Sequence, residues 1–192
     1  MQSIILASTS PFRRQLLERL DLPFRTASPD VDETALPDES PEALVRRLAE
    51  AKARAVMSIY PTALIIGSDQ VALLHGEVLG KPGAHEQAVK QLQRLSGQAA
   101  QFLTALCLLN SVTGTLQTEV VSTHVVFRRL SNTQIEHYLE REPAYQCAGS
   151  FKSEGLGISL LDKINSDDPT ALIGLPLIRL AQMLEREGVA IL

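Results

Sequence analysis

Apolar residues in this chain fall into short continuous runs, separated by polar segments that contain glycine and proline. Runs of this length, bounded by turn residues, are typical of buried strands. The pattern predicts strands over residues 3–7, 63–74, 77–81, 101–110, 116–130 and 158–164. The run at 63–74, ALIIGSDQVALL, is apolar on both sides of one polar interruption.

Two helix starts are marked by a serine followed by a proline, at Ser10 and at Ser40. Serine caps the free N–H groups of a helix, and proline fits the first helical position. Helices are predicted over residues 12–20, 42–57, 84–95 and 176–187, and another begins at a capping box over 131–134. Strands and helices alternate, which favours an α/β protein with a mixed, extended sheet, built as one domain over residues 1–192.

Helical spacing in the segment 42–57 predicts a buried face. Leu44, Leu48, Ala55 and Val56 lie close to one another on this face. Lys52 stands four residues after Leu48 and four before Val56, so it is expected on the core side of the helix. The alternative is a lysine that extends along the helix to reach solvent.

Composition and charge narrow the class of protein. Hydrophobic residues make up 45% of the 192 residues and charged residues 21%, which is typical of a globular chain. A net charge of −4 argues against binding nucleic acid by bulk electrostatics. Cys107 and Cys147 are too few and too isolated for a disulfide framework or a zinc site, and free thiols fit a reducing cytoplasm. No signal peptide or membrane span is recognisable, so the protein is expected to be neither exported nor membrane-bound.

The polar interruption of the run 63–74 contains Asp69. An ionised aspartate on a buried strand is costly unless a cation or hydrogen-bond donors compensate for its lost solvation. We therefore expect such a group opposite Asp69.

Residues 8–14, STSPFRR, link the first predicted strand to the first predicted helix. The N-terminal end of a helix favours anions and disfavours cations, yet Arg13 and Arg14 occupy this first turn. A bound phosphate would resolve the conflict. The alternative is that both arginines face solvent or an acidic surface partner, and the residues alone leave the two interpretations evenly balanced.

An acidic segment over residues 30–33 supplies candidate metal ligands. Hard divalent cations such as Mg²⁺ take a few carboxylates and leave the remaining positions to water and phosphate oxygens. Glu33, together with Asp69, is a candidate ligand pair. For Asp30 and Asp32 a solvated turn is the favoured interpretation.

Two further segments contain candidate binding residues. Lys81 follows the predicted hairpin and precedes a proline that fixes the local backbone. Together with Lys52 and the arginines of the first helix, it can neutralise a triphosphate. The segment 149–155, GSFKSEG, is predicted to be a flexible loop whose glycines let a ligand approach, although an ordinary connection is the alternative.

Six segments occur in the order found in the Maf family of nucleoside triphosphate pyrophosphatases, which this chain resembles. They are STSPFRR at 8–14, DET at 32–34, GSDQV at 67–71, GKP at 80–82, AGSFKSEG at 148–155 and GLPL at 174–177. The resemblance extends from Leu6 to about Leu184. It implies an α/β fold with a long, bent mixed sheet flanked by helices, as in inosine triphosphatase-like proteins. It also implies a cleft between two lobes and often a homodimer.

The resemblance implies a metal-assisted attack of water on the α-phosphate of a nucleoside triphosphate. Asp69 would be the catalytic residue, and Glu33 would share with it a divalent cation, Mg²⁺ or Mn²⁺. The residues expected to bind the phosphates are Ser8, Arg13, Arg14, Lys52 and Lys81. The products would be a nucleoside monophosphate and pyrophosphate.

Three residues resemble the subgroup of this family that acts on 7-methyl-GTP: Phe12, Gln70 and Glu154. Methylation at N7 gives guanine a positive charge, which the ring of Phe12 can attract by a cation–π contact. Ionised Glu154 suits the donors on the Watson–Crick edge of guanine, and Gln70 can donate or accept beside it. The alternative subgroup acts on dTTP and UTP.

Two other classes of function stay open at this point. A nucleotide-binding regulator of cell division with little turnover needs groups that bind phosphate, but it does not need a carboxylate placed like Asp69. A nucleic-acid binder is disfavoured by the acidic net charge of −4. The expected partner is a small nucleotide, without nucleic acid or membrane.

Overall fold

The structure is a computed structural model that describes residues 2–192. Over these residues it contains seven strands and five α-helices. In chain order the elements are β1 (Ser3–Ala7), α1 (Pro11–Glu18), β2 (Phe24–Ala27), α2 (Pro41–Ala55), β3 (Ala63–Leu74), β4 (Glu77–Leu79), α3 (His85–Leu95), β5 (Ala99–Asn110), β6 (Leu116–Phe127), α4 (Asn132–Arg141), β7 (Leu161–Ser166) and α5 (Leu177–Arg186). Short 3-10 helices lie at Ala148–Ser150, Leu156–Leu160 and Pro169–Ile173.

The strands form one mixed sheet. Its order is β2-β1-β3-β5-β6-β7, and β4 pairs with β3. β1 runs parallel to both β2 and β3, with Ile5 opposite Arg25 on one side and Ile65 on the other. β4 pairs with β3, and β7 with β6, in antiparallel fashion. The predicted α/β fold with a mixed sheet is confirmed, whereas the cleft between two lobes stays a prediction.

The helix starts follow the predicted capping residues. The side chain of Ser10 accepts a hydrogen bond from the backbone N–H of Arg13, and that of Ser40 from Ala43. The capping box that begins with Ser131 is present at the start of α4. Short-range capping chemistry therefore accounts for where three of the helices begin.

Contacts along the chain group its residues into two compact units. The first comprises the chain up to Asp69, Thr104–Val121 and Asp168–Leu192, and the second comprises Gln70–Leu103 and Ser122–Asp167. The prediction of a single domain over residues 1–192 stays a prediction. One hydrophobic cluster of the first unit is built from β1, β3, β5, α1, α5 and two flanking residues; its buried side chains are Ile4, Leu6, Leu16, Leu17, Leu64, Ile66, Leu106, Leu108, Leu175, Leu177, Leu180, Met183, Leu184 and Val189.

An aromatic cluster lies in the core of the second unit. The ring of Phe151 meets those of Phe102 and Phe127 edge to face, with centroid distances of 5.5 and 5.2 Å. Edge-to-face contacts stabilise aromatic pairs beyond the burial of their area. They fix the chain at the start of the glycine-containing loop that follows Phe151.

One predicted strand begins later in the structure, and one observed strand was not predicted. The strand predicted over residues 158–164 is observed later, as β7. Its first residues instead belong to a 3-10 helix, where the N–H of Ile158 donates to the carbonyl of Gly155 and the hydroxyl of Ser159 donates to that of Leu156. Such local bonds compete with strand pairing. β2 was not predicted, because its four residues, FRTA, show no continuous apolar run.

The predicted buried face of α2 is confirmed at Leu44, Leu48 and Val56 and is wrong at Ala55. Ala55 is exposed at the end of the helix, whereas Ala49 and Ala53 are fully buried. These two small residues pack against β3, so the buried stripe runs through Val45 and Lys52 rather than through Ala55. The prediction that Lys52 lies on the core side of α2 is confirmed, since Lys52 is only 6% exposed.

Among residues 2–192, the structure has no helix that is both long enough and apolar enough to cross a lipid bilayer.

Candidate active site

Gly67 brings α2 unusually close to β3, two residues before Asp69. A Cβ atom at position 67 would lie 2.1 Å from the carbonyl oxygen of Ala49 and 3.0 Å from the backbone nitrogen of Ala53. Any larger residue would push the helix away from the strand. Lys52 directly precedes Ala53 on α2. Because the helix lies this close to β3, the side chain of Lys52 reaches Asp69.

The ammonium group of Lys52 lies between two carboxylates. Its Nζ donates to Oδ1 of Asp69 at 2.6 Å and lies 2.6 Å from Oε1 of Glu33. Lys52 and Asp69 are buried, whereas the side chain of Glu33 is 53% exposed. The compensating group expected opposite Asp69 is therefore the ammonium group of Lys52.

Arg13 lies in the same unit and in the electric field of both carboxylates. Its Nε donates to the carbonyl oxygen of Gly174 at 2.8 Å. Burial lowers the pKa of Arg13, and the negative charges of Asp69 and Glu33 act in the opposite direction. An arginine stays protonated at neutral pH. Two cations and two carboxylates therefore interact in this part of the first unit.

The turn at Gly174 is held from a second side by Ser68, the neighbour of Asp69. The hydroxyl of Ser68 lies 2.9 Å from the carbonyl oxygen of Gly174 and 2.8 Å from that of Ala105. Gly174 adopts a positive φ of 117°, which is costly for other residues. One carbonyl thus orients both Arg13 and the strand residue beside Asp69.

The two arginines of α1 differ in environment. Arg14 is exposed, and its Nε contacts Oε1 of Glu18 at 3.1 Å, one turn along the same helix. This matches the alternative in which an arginine of the first turn faces an acidic surface partner. Arg13, in contrast, is directed toward Gly174.

Ser8 lies between the end of β1 and the start of α1. It is 6% exposed, and its Oγ accepts a hydrogen bond from the backbone N–H of Ser10 at 3.1 Å. Phe12 is half-buried in the first turn of α1. Both residues therefore lie on the segment that also carries Arg13.

The other predicted site residues belong to the second unit. Gln70 is half-buried on β3, immediately after Asp69. Lys81 is exposed just after β4, and Glu154 is exposed in the loop before the 3-10 helix at Leu156–Leu160. Their roles in binding stay predictions.

The acidic segment is shaped by contacts that sequence analysis did not identify. Arg47 of α2 binds Glu39 with two hydrogen bonds, Nε to Oε1 at 2.6 Å and Nη2 to Oε2 at 2.8 Å. Its Nη2 also donates to the backbone carbonyl of Thr34, the residue after Glu33, at 3.0 Å. No short-range spacing connects these residues, so only the folded chain reveals that Arg47 holds this segment.

Asp32 has a local structural contact. Its Oδ1 accepts a hydrogen bond from the backbone N–H of Thr34 at 2.9 Å, and hydrogen bonding to the side chain and then to the backbone of Thr34 lowers the pKa of Asp32. Both Asp30 and Asp32 are exposed. These features fit the solvated turn favoured for the two residues.

The donor set fits a hard divalent cation. Asp69 and Glu33 converge on one positively charged atom, Nζ of Lys52, and so can converge on another cation. No group of three or more His, Cys, Asp or Glu side chains suited to a metal occurs among residues 2–192. Mg²⁺ commonly takes one or two carboxylates, with phosphate oxygens and water at its other positions. The two carboxylates therefore match a metal that arrives with a phosphate ligand.

Comparison with known proteins gives consistent matches over nearly the whole chain. A family model described as Maf-like protein matches residues 3–187. A protein of Nitrosococcus oceani named 7-methyl-GTP pyrophosphatase is 55% identical over 190 residues, 99% of this chain and 96% of that relative. The protein of the same name from Polaromonas sp. is 55% identical over 188 residues, 98% of this chain and 86% of the relative. A third, from Methylobacillus flagellatus, is 54% identical over 192 residues, which is 100% of both chains.

Proposed function

Because the chain belongs to the Maf-like protein family, we propose that it hydrolyses 7-methyl-GTP to 7-methyl-GMP and pyrophosphate. The observation that carries the proposal is the convergence of Asp69 and Glu33 on Lys52, with Arg13 in the field of both carboxylates. The choice of 7-methyl-GTP is supported by the names of relatives that are 54 to 55% identical.

The reaction is a displacement at the α-phosphorus. The oxygen of a water molecule forms a bond to this phosphorus, and the bond from the phosphorus to the oxygen that bridges the α- and β-phosphates breaks. Pyrophosphate leaves with that bridging oxygen. Asp69 orients the water and accepts its proton, a role for which a carboxylate held on a buried strand is well suited.

Positive groups of the chain offset the charge of the triphosphate. Arg13 offers its guanidinium, and Lys52 shifts hydrogen bonds from the two carboxylates to phosphate oxygens as the substrate binds. We also propose Ser8, Arg14 and Lys81 as phosphate-binding residues. A divalent cation, Mg²⁺ or Mn²⁺, bound by Asp69 and Glu33 supplies further positive charge at the phosphates.

Recognition of the base is proposed for three residues. The ring of Phe12 stacks on the positively charged 7-methylguanine, a contact of about 0.5 to 2 kcal/mol. The carboxylate of Glu154 accepts hydrogen bonds from N1–H and the exocyclic amine of guanine, and Gln70 assists beside it. This arrangement disfavours adenine, which presents an acceptor at N1.

The proposed setting is a reducing cytoplasm. Cys107 and Cys147 are both free thiols, and Cys107 is buried in the core. Free thiols persist in such a compartment. The homodimer implied by the family resemblance stays a prediction.

The proposal is tested by measuring kcat and KM for 7-methyl-GTP, GTP, dTTP, UTP and CTP with Mg²⁺ or Mn²⁺. 7-Methyl-GTP is expected to have the highest kcat/KM. A higher value for dTTP or UTP would contradict the substrate while leaving the chemistry intact. Binding of nucleotides without turnover would instead favour a regulator.

Asp69→Asn tests the catalytic residue in the same assay. Turnover should fall about 10²-fold or more, because the amide cannot accept the proton from water. The matched control is Asp30→Asn in the exposed acidic segment, which should keep wild-type turnover. Wild-type turnover in Asp69→Asn would remove Asp69 from the mechanism.

A further inference from the structure

The end of α4 contacts the loop that carries Glu154. Glu142 directly follows the last residue of α4, and its backbone N–H donates to the carbonyl oxygen of Tyr138 at 2.8 Å. Both residues belong to the second unit, as does the loop.

Two hydrogen bonds hold the loop at its two ends. The backbone N–H of Lys152 donates to the hydroxyl oxygen of Tyr138 at 3.0 Å. The backbone N–H of Gly157 donates to Oε2 of Glu142 at 3.1 Å. Glu154 lies between these two points. The segment 152–157, named here the base loop, is thus held on α4 on both sides of Glu154.

The glycines of the base loop serve close packing within the protein. A Cβ atom at Gly155 would lie 2.1 Å from Oε1 of Glu142. One at Gly157 would lie 2.4 Å from the carbonyl oxygen of Lys152. The sequence predicted that the glycines of 149–155 permit approach of a ligand, which stays a prediction; within the protein, Gly155 permits the close approach of Glu142.

Tyr138 and Glu142 also act on each other. Tyr138 is 3% exposed, and burial, followed by smaller effects that include the charge of Glu142, raises the pKa of its hydroxyl. The hydroxyl therefore stays protonated at neutral pH, and its oxygen accepts the hydrogen bond from the backbone N–H of Lys152.

We propose that Tyr138 and Glu142 are positioning residues that hold the base loop so that Glu154 is presented to the nucleotide base. They determine specificity through Glu154 and do not contact the reacting atoms. This inference rests on the proposed function, because it takes Glu154 as the residue that recognises the base.

The test combines hydrogen exchange with kinetics in four variants of the full chain. Glu142→Ala removes the acceptor for Gly157, and Glu142→Gln retains an oxygen acceptor at the same place. Tyr138→Phe removes the acceptor for Lys152 and keeps the ring. Glu140→Ala is the matched control, since Glu140 is an exposed glutamate on the same helix.

Amide exchange in residues 152–157 should become faster in Glu142→Ala and Tyr138→Phe, and should stay at the wild-type rate in Glu140→Ala. The ratio of kcat/KM for 7-methyl-GTP to that for ATP should fall about tenfold in Glu142→Ala, because Glu154 discriminates guanine from adenine and a hydrogen bond to a charged group that holds its loop is lost. The loss should come mainly from a higher KM for 7-methyl-GTP. Glu142→Gln should restore much of the ratio.

A purely structural role predicts a different result. In that case Tm falls and kcat/KM for both nucleotides falls in equal proportion, which would overturn the inference. Unchanged exchange in the base loop would overturn it as well. If Glu142→Ala does not fold, Tyr138→Phe gives the same readouts through the other end of the base loop.

Failure of the proposed function has its own signature. A wild-type enzyme that prefers another nucleotide contradicts 7-methyl-GTP as the substrate. In that case the wild-type preference between nucleotides, for whichever base it holds, should still become smaller in Glu142→Ala. Amide exchange in the base loop should become faster in the same variant. An unchanged preference would overturn the inference.

Discussion

Lys52 places one positive charge against two carboxylates. Its ammonium group is 2.6 Å from both Asp69 and Glu33, and both Lys52 and Asp69 are buried. Removing one partner of a buried ion pair leaves a charge without compensation, which costs more than the pair itself contributes. Without Lys52, the stability of the protein should therefore depend on another cation that can replace the ammonium group.

Lys52→Met tests this dependence. In the presence of a chelator the free energy of unfolding should fall by about 3 to 5 kcal/mol, as for other broken buried pairs. Mg²⁺ or Mn²⁺ should recover part of this loss, because a bound cation would neutralise the two carboxylates. Urea unfolding with and without the metal measures both effects.

The control for Lys52→Met is Lys90→Met, which breaks an exposed pair with Glu86. Surface pairs contribute about 0 to 1 kcal/mol, so this variant should stay near the wild-type stability with or without metal. If the unfolding free energy of Lys52→Met were the same with and without the metal, Asp69 and Glu33 would not bind the metal.

Asp69 and Lys52 were recognisable in the sequence because each is a polar residue in an apolar pattern. Burying a charge is costly, so its presence on a predicted buried strand or stripe indicates a partner. Arg47 gave no such indication, since its contacts with Glu39 and Thr34 span eight and thirteen positions along the chain. The roles of Gly174 and Glu142 likewise depend on contacts between distant segments, which local patterns do not specify.

At the scale of secondary structure, the site depends on how closely α2 packs on β3. Gly67→Ala would place a Cβ atom 2.1 Å from the carbonyl of Ala49. The helix must move, which should cost about 1 to 3 kcal/mol or more of stability and draw Lys52 away from Asp69. We expect a lower Tm and a lower kcat in this variant.

Gly80→Ala is the control for stability, because a Cβ atom there has no neighbour within 4 Å. Its Tm should match that of the wild type. A Gly67→Ala protein with wild-type Tm and turnover would mean that the close approach of α2 is not required.

A second link between elements is the pair of Glu39 and Arg47, which joins the start of α2 to the segment that precedes it. Hydrogen bonds from Arg47 lower the pKa of Glu39 from its ordinary 4.5 to about 2. A carboxyl group whose pKa is lower in the folded state stabilises the protein above its unfolded pKa. That stabilisation is lost as pH falls through the folded pKa.

The difference in unfolding free energy between the wild type and Glu39→Gln should therefore be largest above about pH 5 and shrink toward zero near pH 2. Urea unfolding at a series of pH values measures it. Glu140→Gln, at an exposed position on α4, should show no such trend. A constant difference across this range would contradict the link between Glu39 and Arg47.

Elements were best predicted where local chemistry decides them. Serine caps and the capping box located α1, α2 and α4, and apolar runs located β1 and β3. The start of β7 was misplaced because hydrogen bonds around Gly155 draw the preceding residues into a 3-10 turn. β2 was missed because its pairing with β1, rather than its own pattern, makes it a strand.

The protein as a whole is acidic, yet its substrate, a nucleoside triphosphate, is a polyanion. The net charge is −4, so general electrostatic attraction does not favour a triphosphate. Local cations must do so instead, and Arg13 and Lys52 lie together in the first unit with the two carboxylates. Binding of nucleotide should therefore depend on these few residues and on the divalent cation, rather than on the overall charge.

The central claim is that water attacks the α-phosphorus of 7-methyl-GTP. Hydrolysis in water enriched in oxygen-18, followed by mass spectrometry of the products, tests it most directly. We expect 7-methyl-GMP that carries the heavy oxygen and pyrophosphate that does not. Heavy oxygen in pyrophosphate, or orthophosphate as the first product, would place the attack at another phosphorus and contradict the mechanism.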